Sequence, residues 1–234
     1  MSTQGTLYLI PCPIADNTND TLPQKTINKI FELRHFITER AKTSRRFIKT
    51  LDPPYQISEL HIEELDKHGQ ESIDKYLNPL RRGKDVGLIS EAGCPCIADP
   101  GGKLVALAYR ENIRVVPLVG PSSILLAMMA SGMNGQAFTF HGYLPVKNDQ
   151  LRSRLRKLEA QAIKTGYAQI FMETPYRSKK IIEMVLKSLM PKTRLCIAKN
   201  ITGLEEEIKT KRISEWKKAA ISEEKYPAIL IISS

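Results

Sequence analysis

Short apolar runs, each closed by glycine or proline, alternate along this chain with longer segments whose apolar residues recur at helical spacing. The pattern predicts a strand over residues 6–10, a helix over 21–33, a strand over 36–39 and a helix over 42–50. Helical spacing continues over 57–65 and 71–81, followed by a strand at 85–90, a helix at 103–111 and a strand at 115–119. Strands and helices alternating in this way build a parallel sheet. After Gly120-Pro121-Ser122 a small-residue helix runs to residue 130. A second set follows, with strands at 138–143, 169–173, 195–199 and 228–233 and helices at 150–164 and 176–189. Within 150–164, Leu151, Leu155, Leu158 and Ala162 form one apolar stripe, leaving Arg152, Arg154, Arg156 and Lys157 largely outside it. The chain reads as α/β, with one α/β domain over 1–118, a second over 119–234, and the joint near residues 117–123. It carries no internal repeat, low-complexity tract or long glycine-serine linker.

The 234 residues exceed the usual single domain of about 100–150, consistent with two domains. At 42% hydrophobic and 26% charged the composition is that of an ordinary globular protein. No apolar run approaches the roughly 20 residues of a membrane span, so no membrane association is expected. The polar start, Met1-Ser2-Thr3-Gln4-Gly5, leads straight into a short apolar run without a basic segment, which predicts a cytoplasmic protein. Cys12, Cys94, Cys96 and Cys196 fit neither a disulfide framework nor paired zinc ligands, so reduced thiols and no metal are expected. The net charge of +10 is clustered at Arg34, Arg40, Lys42, Arg45, Arg46 and Lys49 and again at Lys147, Arg152, Arg154, Arg156, Lys157 and Lys164. Such clusters can be ordinary solvated helix faces. Their scarcity of acidic partners and their arginine content favour a phosphate-rich partner, namely nucleic acid.

The stretch Glu91-Ala92-Gly93-Cys94-Pro95-Cys96-Ile97-Ala98-Asp99-Pro100-Gly101-Gly102 directly follows the predicted strand at 85–90. Three glycines and two prolines stop both strand and helix there, so a carboxylate and small residues crowd one turn at a strand's end. In an open α/β sheet that position faces the crevice where small molecules bind; the alternative is a surface turn with no ligand. Neither a Gly-x-Gly-x-x-Gly turn nor a Gly-Lys-Ser/Thr phosphate loop is present. The first loop, Pro11-Cys12-Pro13-Ile14-Ala15-Asp16-Asn17, holds two prolines, and Asp16 or Asn17 is placed to cap the helix beginning near Thr21.

These segments resemble the tetrapyrrole methylase superfamily of S-adenosylmethionine-dependent methyltransferases. The resemblance rests on the Pro11-x-Pro13-Ile14 loop, Ser90-Glu91-Ala92-Gly93-x-Pro95-x-Ile97-x-Asp99-Pro100-Gly101, and Val115-Val116-Pro117-Leu118-Val119-Gly120-Pro121-Ser122-Ser123. It continues through Ala130-Ser131-Gly132-Met133, Phe138-Thr139-Phe140-His141-Gly142-Tyr143-Leu144-Pro145, Glu173-Thr174-Pro175-Tyr176-Arg177 and Ala198-Lys199-Asn200-Ile201-Thr202-Gly203-Leu204-Glu205-Glu206-Glu207. The chain is most similar to the branch that methylates a cytidine ribose 2′-hydroxyl in small-subunit ribosomal RNA. It departs from that branch at Ile14-Ala15-Asp16-Asn17, at Glu39-Arg40-Ala41-Lys42-Thr43-Ser44, where the second acidic residue is missing, at Glu91, Cys94 and Cys96, and at Lys199-Asn200.

The resemblance implies two α/β domains with mixed sheets and S-adenosylmethionine in the cleft between them. It assigns cofactor contact to Pro11, Glu91, Ala92, Gly93, Cys94, Ile97, Pro121, Ser122, Ser123, Ser131, Met172, Pro227 and Ala228. No metal is needed, because the sulfonium already activates the methyl group. It further implies a homodimer and, as partner, ribosomal RNA or the small ribosomal subunit. A protonated ribose hydroxyl is a poor nucleophile, so a base should assist its attack. Glu39, at the end of a predicted strand and at a family acidic position, is the leading base, with an arginine ion pair as its structural alternative. Lys42 is the second catalytic candidate, and Arg40, Arg45, Arg46, Arg152 and Arg177 are candidates for holding substrate. Glu173 and Tyr176 are expected to shape the cleft. The competing functions are tetrapyrrole carbon methylation and RNA or ribosome binding by a catalytically impaired relative.

Overall fold

A computed structural model describes residues 4–66, 72–219 and 225–234. The chain separates into two compact units, Met1–Ser122 and Ser123–Ser234. The first runs β1 (Leu7–Ile10), α1 (Gln24–Glu32), β2 (His35–Thr38), α2 (Ala41–Thr50), β3 (His61–Glu64), α3 (Asn78–Arg81), β4 (Val86–Ile89), α4 (Gly102–Arg110) and β5 (Val115–Pro117). Its sheet has the order β3-β2-β4-β1-β5 and is parallel throughout. Every strand-to-strand connection is therefore a crossover over a face of the sheet. Ile30 and Leu33 pack with Ile10, Phe36 and Ile89 on one face, whereas Leu104 and Ala108 of α4 pack with Leu7, Ile37 and Leu88 on the other. The neighbours β1 and β4 thus send their connections to opposite faces, which opens a crevice at their carboxyl ends.

The second unit runs α5 (Ser123–Ala130), β6 (Phe138–Tyr143), α6 (Asn148–Thr165), β7 (Ala168–Glu173), α7 (Ser178–Ser188), β8 (Arg194–Lys199), β9 (Glu207–Arg212), α8 (Ile213–Trp216) and β10 (Ala228–Ser233). Its sheet, β6-β7-β10-β8-β9, is mixed: β6 and β7 are parallel and the remaining pairs antiparallel. The expectation of mixed sheets thus describes the second unit, while the βαβ connections of the first keep it parallel. Leu151, Leu155, Leu158 and Ala162 of α6 are all buried, as their spacing predicts. Gly166, at φ 71, ends that helix in a left-handed conformation that glycine adopts without a Cβ penalty.

Three local expectations are corrected. Residues 57–65 are not a helix but a 3-10 turn, Ile57–Glu59, followed by β3, a polar edge strand whose central position carries only Ile62 as apolar content. Residues 72–81 form a 3-10 segment, Ile73–Leu77, running into the short α3, and Glu71 lies outside the described residues. Asp16 and Asn17 cap no helix: α1 begins after Pro23 without a side-chain cap. Strand β9 and α8 are additional elements that the apolar pattern does not announce.

His35 and His61, cross-strand partners on β2 and β3, stack with centroids 4.8 Å apart and planes 12° apart. Burial, then Lys84, then His61 push the His35 pKa below the ordinary histidine value. The folded state therefore binds this proton less readily than the unfolded chain, so stability is full above pH about 6.5 and falls as the pH drops below it. The urea midpoint should fall between pH 7 and pH 5, and His61→Gln should make that fall shallower; identical pH profiles would contradict the assignment.

Candidate active site

At the crevice of the first unit the loops after β1 and β4 are fastened by an isolated antiparallel bridge between Cys12 and Gly93. Cys12 N donates to Gly93 O at 2.9 Å and Gly93 N returns to Cys12 O at 3.0 Å. The Ser90 hydroxyl also donates to Gly93 O (2.8 Å), and the Cys12 thiol donates to Ser90 O (3.1 Å). Cys94 Sγ reaches Pro121 O at 3.5 Å, adding the loop after β5. Pro11, Gly93, Cys94 and Pro121, four of the expected cofactor residues, are thereby held together. Ala92 and Ile97 lie exposed on the same loop. Gly93 has φ +66, a conformation open to glycine at little cost. Burial raises the pKa of Cys94 and Cys96, and burial followed by the Glu91 charge raises that of Cys12, so these thiols stay protonated near pH 7.

Gly120 sets the spacing of this group. A Cβ on it would fall 2.2 Å from Pro11 Cγ. Gly120→Ala should therefore push the two loops apart, costing about 1–3 kcal/mol and weakening ligand binding at the crevice. Thermal melting and calorimetric titration with S-adenosylmethionine would check this; an unchanged melt would show that the loops are not pressed together there.

The catalytic candidates lie at the neighbouring strand end. Glu39 directly follows β2 and is half-buried, and Arg40, Lys42, Arg45 and Arg46 are all exposed on or beside α2. Helix α2 is tied to the crevice by Thr43, whose hydroxyl donates to both Glu91 oxygens at 2.8 and 3.1 Å. The Glu64 carboxylate accepts from Ala41 N (2.6 Å) at the start of the same helix. Glu91 thus presents a carboxylate at the crevice mouth, while small residues line its root. That set suits the ribose of an adenosyl ligand: a carboxylate for its hydroxyls and small side chains for close approach.

In the second unit the carboxyl ends of β6, β7 and β8 meet the amino end of β10. Ala228 pairs with Glu173 on one side and Lys199 on the other, Ile229 pairs with Met172, and Tyr143 also pairs with Met172. Met172, Pro227 and Ala228 therefore share one sheet end. Ser131 does not join them: its carbonyl accepts from Thr210 (2.8 Å), the partner of Cys196 well down β8. Ser123 begins α5. Arg177 is committed, with Nη2 3.1 Å from Oε2 of the buried Glu173 and 3.3 Å from Pro145 O. Arg152 is exposed on α6, where Asp149, Arg152, Ser153, Arg156, Lys157 and Ala160 line a surface hollow of about 470 Å³.

Sequence reasoning missed His141. Its Nδ1 lies 3.1 Å from Arg154 Nη2 and its Nε2 lies 2.8 Å from Gln169 Oε1. A guanidinium only donates, so Nδ1 accepts and Nε2–H donates to Gln169, an assigned neutral tautomer. Burial, opposed by the Gln169 hydrogen bond and reinforced by Arg154, lowers the His141 pKa. Arg154 is thus turned toward the sheet rather than outward with Arg152. No signal along the chain links residues 141, 154 and 169. Among the described residues, no group of three His, Cys, Asp or Glu side chains could hold a metal ion, and no helix is long and apolar enough to cross a membrane.

Residues 6–217 match the family described as Tetrapyrrole (Corrin/Porphyrin) Methylases. Among similar curated proteins, the ribosomal RNA small subunit methyltransferase I of Halalkalibacterium halodurans is 29% identical over 87% of the chain and 67% of its own length. The protein of that name from Mesorhizobium japonicum is 32% identical over 87% of the chain and 66% of its own length. That from Escherichia coli O157:H7 is 27% identical over 99% and 78%. The chain thus spans about two thirds of the length of the first two. Among solved structures, uroporphyrin III C-methyl transferase from Thermus thermophilus is similar with a TM-score of 0.56 and 16% identity, covering 98% of both chains. A cobalt precorrin-4 methyltransferase gives 0.61 and 15%, covering 97% and 94%. These two likenesses concern the fold.

Proposed function

From the premise that the chain belongs to the tetrapyrrole (corrin/porphyrin) methylase family, we propose that it is an S-adenosylmethionine-dependent methyltransferase acting on the 2′-hydroxyl of a cytidine ribose in small-subunit ribosomal RNA. The observation that carries this reading is the similarity, along 85–99% of the chain, to proteins named ribosomal RNA small subunit methyltransferase I. The exposed arginines and lysines of α2 and α6 and the net charge of +10 agree with a polyanionic substrate. The cofactor, when bound, supplies a methyl group already activated on a sulfonium. The rest is the work of this chain's residues. Pro11, Gly93, Cys94 and Pro121 would give the adenosyl group a rigid floor, and Glu91 would accept from its hydroxyls. Glu39 would take the proton of the attacking ribose hydroxyl, with Arg40 and Lys42 holding the adjacent phosphate.

A homodimer in the cytoplasm belongs to the same reading. Its support is α5, apolar all round, which leaves Leu125 54% and Met129 79% exposed one turn apart. Sedimentation of the wild type and of Met129→Glu would check it, a monomeric wild type contradicting it.

The test of function is to incubate the protein with methyl-labelled S-adenosylmethionine and, separately, total RNA, small ribosomal subunits or a precorrin. Label mapped to a ribose in the subunit supports the proposal. Label only on the precorrin replaces it with tetrapyrrole chemistry, and cofactor binding without transfer to any of the three favours the impaired binder.

A further inference from the structure

Tyr176 is 86% exposed, a large aromatic side chain held in water by a loop that is otherwise tightly fixed. The loop follows β7. Glu173, the last residue of β7, is buried and accepts from Thr174 N at 2.8 Å, and Arg177 N and Ser178 N both donate back to Thr174 O, at 3.1 and 3.0 Å. Arg177 joins Glu173 to Pro145 O of the neighbouring loop. That neighbouring loop follows Tyr143, the last residue of β6, which is 51% exposed and lies where the β6–β7 register shifts between Phe140 and Tyr143 and re-aims the strand's end. Lys225 Nζ stands 6.0 Å from the Tyr176 ring centroid, a cation beside the ring. From the same loop, α6 begins at Asn148 and carries Arg152, Arg156 and Lys157 along its outer face, around the hollow already described.

A rigidly mounted exposed aromatic side chain at the head of a basic face is the combination by which proteins hold single-stranded nucleic acid: bases stack on rings while cations follow the backbone. A duplex offers no free base face for such a ring. We propose that Tyr176, with Tyr143 at the same sheet end, stacks an unpaired base of a single-stranded RNA substrate whose phosphates run along Arg152, Arg156 and Lys157 of α6. The inference rests on the RNA reading for its ligand class and adds to it the strandedness of the substrate and a specificity-determining residue. It also gives the Tyr176 loop a role beyond lining a cleft.

The experiment is fluorescence anisotropy of the full chain with a labelled, unstructured 12-nucleotide pyrimidine RNA and with a duplex of the same length. Tyr176→Ala should weaken single-strand binding about tenfold, with Tyr176→Trp and Tyr176→Phe close to wild type. Arg156→Gln should instead lower the slope of log affinity against log salt by about 0.7, a slope that Tyr176→Ala leaves unchanged. Because Tyr176 is exposed, the melting temperature reports whether the variants fold as the wild type does. Tyr176→Ala binding the single strand like wild type, or losing duplex affinity equally, would overturn the inference. Wild-type protein that binds no single strand would overturn it too. Methyl transfer to small subunits is measured beside this: normal transfer with an unaffected Tyr176→Ala rejects the stacking site alone. A tenfold stacking loss in a wild type that transfers no label rejects the methyltransferase reading alone.

Discussion

Glu39→Gln should lower the turnover of methyl transfer by about 10²- to 10⁴-fold while leaving S-adenosylmethionine affinity within about twofold. The amide keeps the size and much of the hydrogen-bonding shape of the carboxylate but cannot take a proton near neutral pH. Glu39 sits where β2 ends and the chain turns into α2, the helix tied to the crevice through Thr43 and Glu91. A purely structural role would show in the melt and in cofactor binding together. A base role shows in turnover alone. Glu39→Asp, which restores the carboxylate one methylene shorter, should recover part of the rate. Wild-type turnover in Glu39→Gln would remove the residue from the reaction.

The largest stability effect is expected at Glu173. It is 1% exposed; its Oε1 accepts from the amide and hydroxyl of Thr174, and its Oε2 lies 3.1 Å from the Arg177 guanidinium. Glu173→Ala removes the acceptor of both Thr174 donors and the charge facing Arg177, whose Nη2 keeps only Pro145 O. Removing one member of a buried ion pair costs about 3–5 kcal/mol, and the partial exposure of Arg177 reduces this to about 2–4 kcal/mol. For a unit of this size each kcal/mol shifts the melting midpoint by about 4–8 °C, so calorimetry should find the transition of the second unit lowered by on the order of 10 °C or more. Glu173→Gln, which keeps an acceptor for Thr174 and loses only the charge, should cost about half as much. Equal melts for alanine variant and wild type would mean that the ion pair does not hold the loop in solution.

Much of the fold could be read along the chain wherever burial leaves a local period. The stripe Leu151, Leu155, Leu158 and Ala162 marks α6 because one face of a long helix is buried, and Val86-Gly87-Leu88-Ile89 marks a central strand because both faces are. Two of the four edge strands broke the rule. His61-Ile62-Glu63-Glu64 and Glu207-Ile208-Lys209-Thr210-Lys211-Arg212 present little apolar content, since water rather than core faces most of their side chains. The site divides in the same way. Glycines and prolines after an apolar run announce the Glu91–Cys94 turn, but its partners, Cys12, 81 residues from Gly93, and Thr43, 48 residues from Glu91, depend on strand order. His141 with Arg154 and Gln169 is likewise a product of how α6 lies on β6 and β7, and no periodicity encodes such a triplet.

The reciprocal hydrogen bonds between Cys12 and Gly93 divide the crevice of the first unit into a part that holds still and a part that adapts. Two strand-end loops sewn together at their roots cannot swing apart as a hinge would require, so neither can act as a door. Exposure begins beyond the stitch, where Ile97 stands 53% exposed and Ala98, at φ 60, is exposed beside it. Amide exchange should follow that line, slow at Cys12 and Gly93 and fast at Ile97 and Ala98. The bridged roots keep a fixed spacing, and whatever adjustment this crevice makes falls to the exposed residues 97 and 98 beyond them.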